Sequence, residues 1–216
     1  MKSKIFKIAA MTLMAATALA MTASEASARS FTRSGSFTGA YGRGFTHSAS
    51  VNRSPGSVSG TRSLQTNAGY GGTRSFERGC SGGICSASSA TTTNSGRTWS
   101  RSGSVSAPGN GTANWDRTAT GPNGGSVSHS GSCTAGAGCA RDTTVTGPNG
   151  NSWTADRSAY ANGYGGLDRT ATMIGPEGGS ASRSVDTFRY PGATARTVTT
   201  TGPNGGEINR GWVDFY

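Results

Sequence analysis

Beyond residue 28, apolar side chains in this chain do not gather into long runs; they alternate singly with polar ones over short stretches. The alternation is in register around four copies of one tetrapeptide, Gly121 to Gly124, Gly147 to Gly150, Gly175 to Gly178 and Gly202 to Gly205, at steps of 26, 28 and 27 residues. Two and four residues before the prolines stand Thr120 and Thr118, Thr146 and Thr144, Ile174 and Thr172, and Thr201 and Thr199. After them come arms centred on Val127, Trp153, Ala181 and Ile208. Short, partly β-branched, alternating arms predict half-buried strands.

The tetrapeptides predict the turns between those arms. Pro122, Pro148, Pro176 and Pro203 pre-set φ for the second turn position. Asn123, Asn149, Glu177 and Asn204 take the third, and the closing glycine accepts the positive φ of a bulged hairpin. The predicted fold is mostly β: an array of short antiparallel hairpins, one per repeat of about 27 residues, each followed by a Gly/Ser/Ala-rich return. Alternation sorts the incoming arm into two faces. Asp116, Asp142 and Asp168 share the threonine face, while Arg117, Arg141 and Arg169 join Ala119, Val145 and Met173 on the other.

Upstream the pattern loosens. Arg-Ser pairs recur at irregular spacing through residues 29–96 with scattered aromatics, which reads as a low-complexity region, irregular or disordered, of decayed hairpins or flexible coil. Pro108 to Gly111 resembles a scrambled fifth turn, so the ordered array is expected to span residues 97–216. The aromatic end from Gly211 to Tyr216 is expected to cap the last hairpin. A membrane barrel does not fit, because alternate positions carry Thr, Ser, Asp and Arg where lipid-facing strands need apolar residues.

Residues 1–28 read as a cleavable signal peptide. Lys2, Lys4 and Lys7 open it, an Ala-rich apolar run from Ile8 to Met21 follows, and Ala26-Ser27-Ala28 supplies the cleavage pattern. The exported chain then begins near Arg29, in the periplasm or outside a bacterial cell. No later apolar run reaches the roughly 20 residues of a transmembrane helix.

Removing the leader takes away all three lysines. It leaves 17 arginines against 9 acidic residues, a net charge of +8. Leu, Ile, Val and Phe then number 19 in 188 residues, too few for a densely packed single core. Its 35 glycines add a large ordering cost and no side-chain burial. Covalent staples are therefore expected. Cys80 and Cys85, and Cys133 and Cys139, are separated by short Gly-containing loops, so the two local pairings are favoured among the three possible. Each contributes on the order of 2 kcal/mol in a chain-entropy account. Neither spacing is that of a zinc or C-x-x-C redox site, and no metal or cofactor is expected.

Catalysis has no constellation to rest on. The chain offers His47 and His129, abundant serines, and acids each adjacent in sequence to an arginine, which suits ion pairs or a solvated face better than paired-carboxylate chemistry. The expected function is therefore non-enzymatic: a secreted or periplasmic repeat protein with a structural, surface or matrix role, able to self-associate through β edges. The alternative is polyanion binding through a stripe of Arg117, Arg141, Arg169 and Arg196, to lipopolysaccharide, acidic polysaccharide or extracellular DNA. A minor alternative is ice or crystalline-surface binding through the Thr-x-Thr rows.

Overall fold

Fourteen strands, each hydrogen-bonded to the next in sequence, make one antiparallel meander in the computed structural model, which describes residues 28–216. The predicted signal peptide thus lies outside the described residues, apart from Ala28. The strands are β1 (Arg29–Thr38), β2 (Gly44–Ser54), β3 (Ser57–Thr66), β4 (Gly71–Ser81), β5 (Ile84–Thr93), β6 (Thr98–Ser106) and β7 (Thr112–Thr120). They continue as β8 (Ser126–Thr134), β9 (Gly138–Thr146), β10 (Ser152–Ala161), β11 (Leu167–Ile174), β12 (Ser180–Tyr190), β13 (Ala193–Thr201) and β14 (Glu207–Phe215). At the usual strand spacing the sheet is about 60 Å across and about 30 Å along its strands.

The proline turns form as their chemistry predicts. In each, the first residue donates its N–H to the carbonyl of the fifth, as in Gly121 to Gly125 at 2.7 Å and Gly202 to Gly206 at 2.8 Å. The closing glycines Gly124, Gly150, Gly178 and Gly205 sit at φ 83°, 83°, 81° and 76°, where a side chain would be strained.

The same turn occurs upstream. Gly39 donates to Arg43 at 2.6 Å, Thr66 to Tyr70 at 2.7 Å and Thr93 to Arg97 at 2.9 Å, and Gly42, Gly69 and Gly96 close these turns at φ 72°, 82° and 80°. Residues 29–96 are therefore neither irregular nor the start of a separate region; their decayed hairpins are strands β1 to β5 of the same sheet. The second and third of these turns differ from the later ones only in their residues, whereas in the first Tyr41 also takes a positive φ, 64°. Asn67 and Asn94 stand where the later turns have proline, and their side-chain amides donate to the backbone of the preceding turn, at Gly42 (2.8 Å) and Gly69 (2.9 Å). Proline has no such group to offer.

One repeat contains one such hairpin, and the expected return is a second turn at the opposite edge of the sheet. The cysteine pairs lie beside two of those opposite turns. Cys80 faces Cys85 across β4 and β5, and Cys133 faces Cys139 across β8 and β9, both at disulfide-bonding distance. Two such bonds are compatible with an oxidising compartment. The aromatic C-terminus lies in the outer strand β14, the outgoing arm of the last hairpin, whose own residues are all exposed.

No second layer of strands packs on this sheet among the described residues; each strand makes its substantial contacts with its sequence neighbours. Burial is correspondingly slight. Among the described residues Val185 and Val198 are the two buried hydrophobic ones, directly opposite each other on β12 and β13.

Candidate functional site: a two-faced sheet

Strand alternation and the cross-strand register assign each strand residue to a face. Following the ladder from Arg101 through Ala119, Val127 and Val145 to Trp153 stays on one face of β6 to β10. A second row, Arg141, Arg157, Ala171, Arg183, Thr200 and Ile208, continues it to β14. On the N-terminal side Arg33, Ala49, Arg62, Arg74, Thr91 and Trp99 form the corresponding row.

When all fourteen strands are traced this way, the strand arginines share that face: Arg29, Arg33, Arg53, Arg62, Arg74, Arg78, Arg101, Arg117, Arg141, Arg157, Arg169, Arg183, Arg189, Arg196 and Arg210. The remaining two after the leader, Arg43 and Arg97, lie in turns. Glu77, Asp116, Asp142, Asp156, Asp168, Asp186 and Glu207 are on the other face. Asp214 is the one strand acid on the arginine side.

An Arg adjacent to an Asp in sequence therefore points away from it. Ion pairing within the Asp-Arg dipeptides is geometrically closed; Asp116 and Asp142 are exposed, whereas Asp168 is half-buried and accepts from the Asn162 amide at 2.9 Å. Like charges instead meet directly across strands: Arg62 opposite Arg74, Arg141 opposite Arg157, Asp142 opposite Asp156, Asp168 opposite Asp186. Each such pairing costs stability in isolation.

The acidic face compensates with hydroxyl contacts. Ser48 meets Ser63 at 2.7 Å, Ser102 meets Thr118 at 2.7 Å and Ser158 meets Thr170 at 2.6 Å, while Ser104 donates to the Asp116 carboxylate. The predicted threonine rows Thr118/Thr120, Thr144/Thr146 and Thr197/Thr199 lie on this side, interrupted by those acids.

The arginine face is built from stems and rings. Glycines inside the strands let large side chains lie flat across a neighbour: the Trp115 indole covers Gly131, Phe76 covers Gly60 and His47 covers Gly35. Arg62 stacks over Phe76 at 5.7 Å and Arg196 over Trp212 at 5.1 Å. His129 hydrogen-bonds Thr143 through Nδ1 at 2.9 Å. One groove on this face is lined by Arg74, Arg78, Arg101, Arg117, Val127 and His129, among others.

All four arginines singled out from the repeats lie here, but they are not equivalent. Arg117, Arg141 and Arg169 are exposed, whereas Arg196 is half-buried on Trp212 with its Nε unpartnered. Their alignment on the incoming arms misses Arg157, Arg183 and Arg210 on the outgoing ones. Counting in twos from Trp153, Ala181 and Ile208 reaches all three, so the signal was in the sequence. The turn residues Pro122, Asn123, Pro148, Asn149, Pro176, Glu177, Pro203 and Asn204 are exposed along one rim.

Among the described residues no helix is long and apolar enough to cross a membrane. No model of a known family, no curated protein and no solved structure matches the chain.

Proposed function

We propose that this is a non-enzymatic protein of the periplasm or extracellular space, exported by a signal peptide cleaved near Ala28, whose structural or matrix role is exerted through its surface. Its cationic face binds polyanions such as lipopolysaccharide, acidic polysaccharide or extracellular DNA. The observation that carries this reading is the segregation of fifteen arginines onto one open face with a single acid among them. A sheet that used arginine only for solubility gains nothing by sorting it from its acids.

Arginine suits the task because its planar fork contacts phosphate or sulfate through two hydrogen bonds. An anion seated between Arg141 and Arg157, or between Arg62 and Arg74, removes the repulsion that those pairs carry when free. Exposed Trp153 adds a flat apolar surface for a base or sugar ring. The open β edges serve the structural side of the role, by pairing with other copies.

The test is binding to a sulfated polysaccharide and to duplex DNA across a salt series. Affinity falls steeply and linearly in log-log form as salt rises, with a slope that reports several phosphate contacts. Salt-independent binding, or none at low salt, contradicts the reading.

A further inference from the structure

We infer that copies of this chain join head to tail, β14 of one against β1 of the next, in a specific register that places Asp214 opposite Arg33. The inference rests on the self-pairing reading of the edges and is independent of polyanion binding.

Topology permits the joint without any change of pattern. The strands alternate strictly and are even in number, so β14 and the β1 of a translated copy run antiparallel. Both edge strands are almost wholly exposed, and they carry Phe31, Phe37, Ile208 and Trp212 on the arginine face. Long, unpaired edges that carry such exposed aromatic side chains are templates for a further strand.

The register follows from the joints already inside the sheet. At these joints, the strand residue just before a turn lies opposite the third residue after the preceding turn: Gln65 on Thr46, Thr92 on Thr73, Thr120 on Ser100, Ile174 on Thr154 and Thr201 on Ser182. The joint between β8 and β9, Thr146 on Ser126, is displaced by two residues. Applied to the ends, the common offset sets Thr38 on Asn209.

That register produces complementary pairs on the arginine face. Phe37 meets Arg210, the directly opposite aromatic-arginine pairing that Trp212 and Arg196 make internally. Arg33 meets Asp214, which accounts for the one acid on that face: it is placed for the arginine of the next copy. Such a heterologous joint does not close, so it yields a ribbon with one face continuously cationic.

Charge reversal tests this with full-length protein purified after export. Arg33→Asp and Asp214→Arg each place like charges at the joint. Each alone is expected to raise the concentration for half-assembly about tenfold in sedimentation, with unchanged circular dichroism. An equimolar mixture of the two restores assembly, because each supplies the end that the other lacks. If the parent assembles and neither variant is impaired, the register is wrong and edge pairing stands. If the parent stays monomeric at high concentration, edge pairing itself fails.

Discussion

Val185 and Val198 face each other across β12 and β13, each 8% exposed, in a cross-strand row flanked by arginines: Arg169 beside Val185 and Arg210 beside Val198. The two buried hydrophobic residues of the described sheet thus have an arginine on either side, a residue whose stem can cover apolar surface while its charge stays in water.

Truncating that pair tests whether the arginine stems build a small core. Val198→Ala is expected to cost about 1–2 kcal/mol in denaturant unfolding. Val145→Ala, at a position 37% exposed on the same face, costs under about 1 kcal/mol. Equal losses at both sites contradict the ranking.

Turn geometry gives a second contrast. Gly150→Ala forces a side chain into φ 83° and is expected to destabilise by about 1 kcal/mol. Gly206→Ala meets nothing within 4 Å and has no positive φ, so it is expected to be neutral or slightly stabilising. Thermal melts of the two variants decide this.

Salt is expected to stabilise the free protein. Like charges meet across strands on both faces, and opposite charges are separated by the sheet, so screening relieves more repulsion than attraction. A melting temperature that rises between low and moderate ionic strength, with chloride and with fluoride alike, agrees with this; a fall points to stabilising ion pairs.

Removing one clip distinguishes local from global stapling. The paired variant Cys80→Ser with Cys85→Ser loses about 2 kcal/mol or less, because the closed loop is short. Hydrogen exchange then speeds at β4 and β5 and is little changed at β12 and β13, as expected for an array in which each strand contacts only its neighbours. Uniform acceleration argues for a single cooperative unit.

Much of this was legible in the sequence, for reasons that also explain what was not. The proline turns announce themselves because each of their residues has a local conformational preference, and the arms alternate cleanly enough to put Arg117 and Asp116 on opposite faces. The N-terminal turns use Thr-Asn-Ala-Gly and Thr-Asn-Ser-Gly, so a search keyed on proline passes over them. Glycine alone carries the period there, through Gly42, Gly69 and Gly96 at steps of 27 residues. Counting in twos groups Arg157, Arg183 and Arg210 with Trp153, Ala181 and Ile208, and Asp214 with Ile208, but which face of the sheet that group joins depends on cross-strand register, a non-local property.

The central claim is that position on a face, and not net charge, governs what this protein binds. Two variants with the same loss of charge test it most directly on an immobilised sulfated polysaccharide. Arg141→Ser with Arg157→Ser empties a facing pair on the cationic side, while Ser128→Glu with Thr199→Glu adds two acids to the other side. The account predicts that the first elutes at markedly lower salt and that the second elutes with the parent. Equal shifts for both would contradict it.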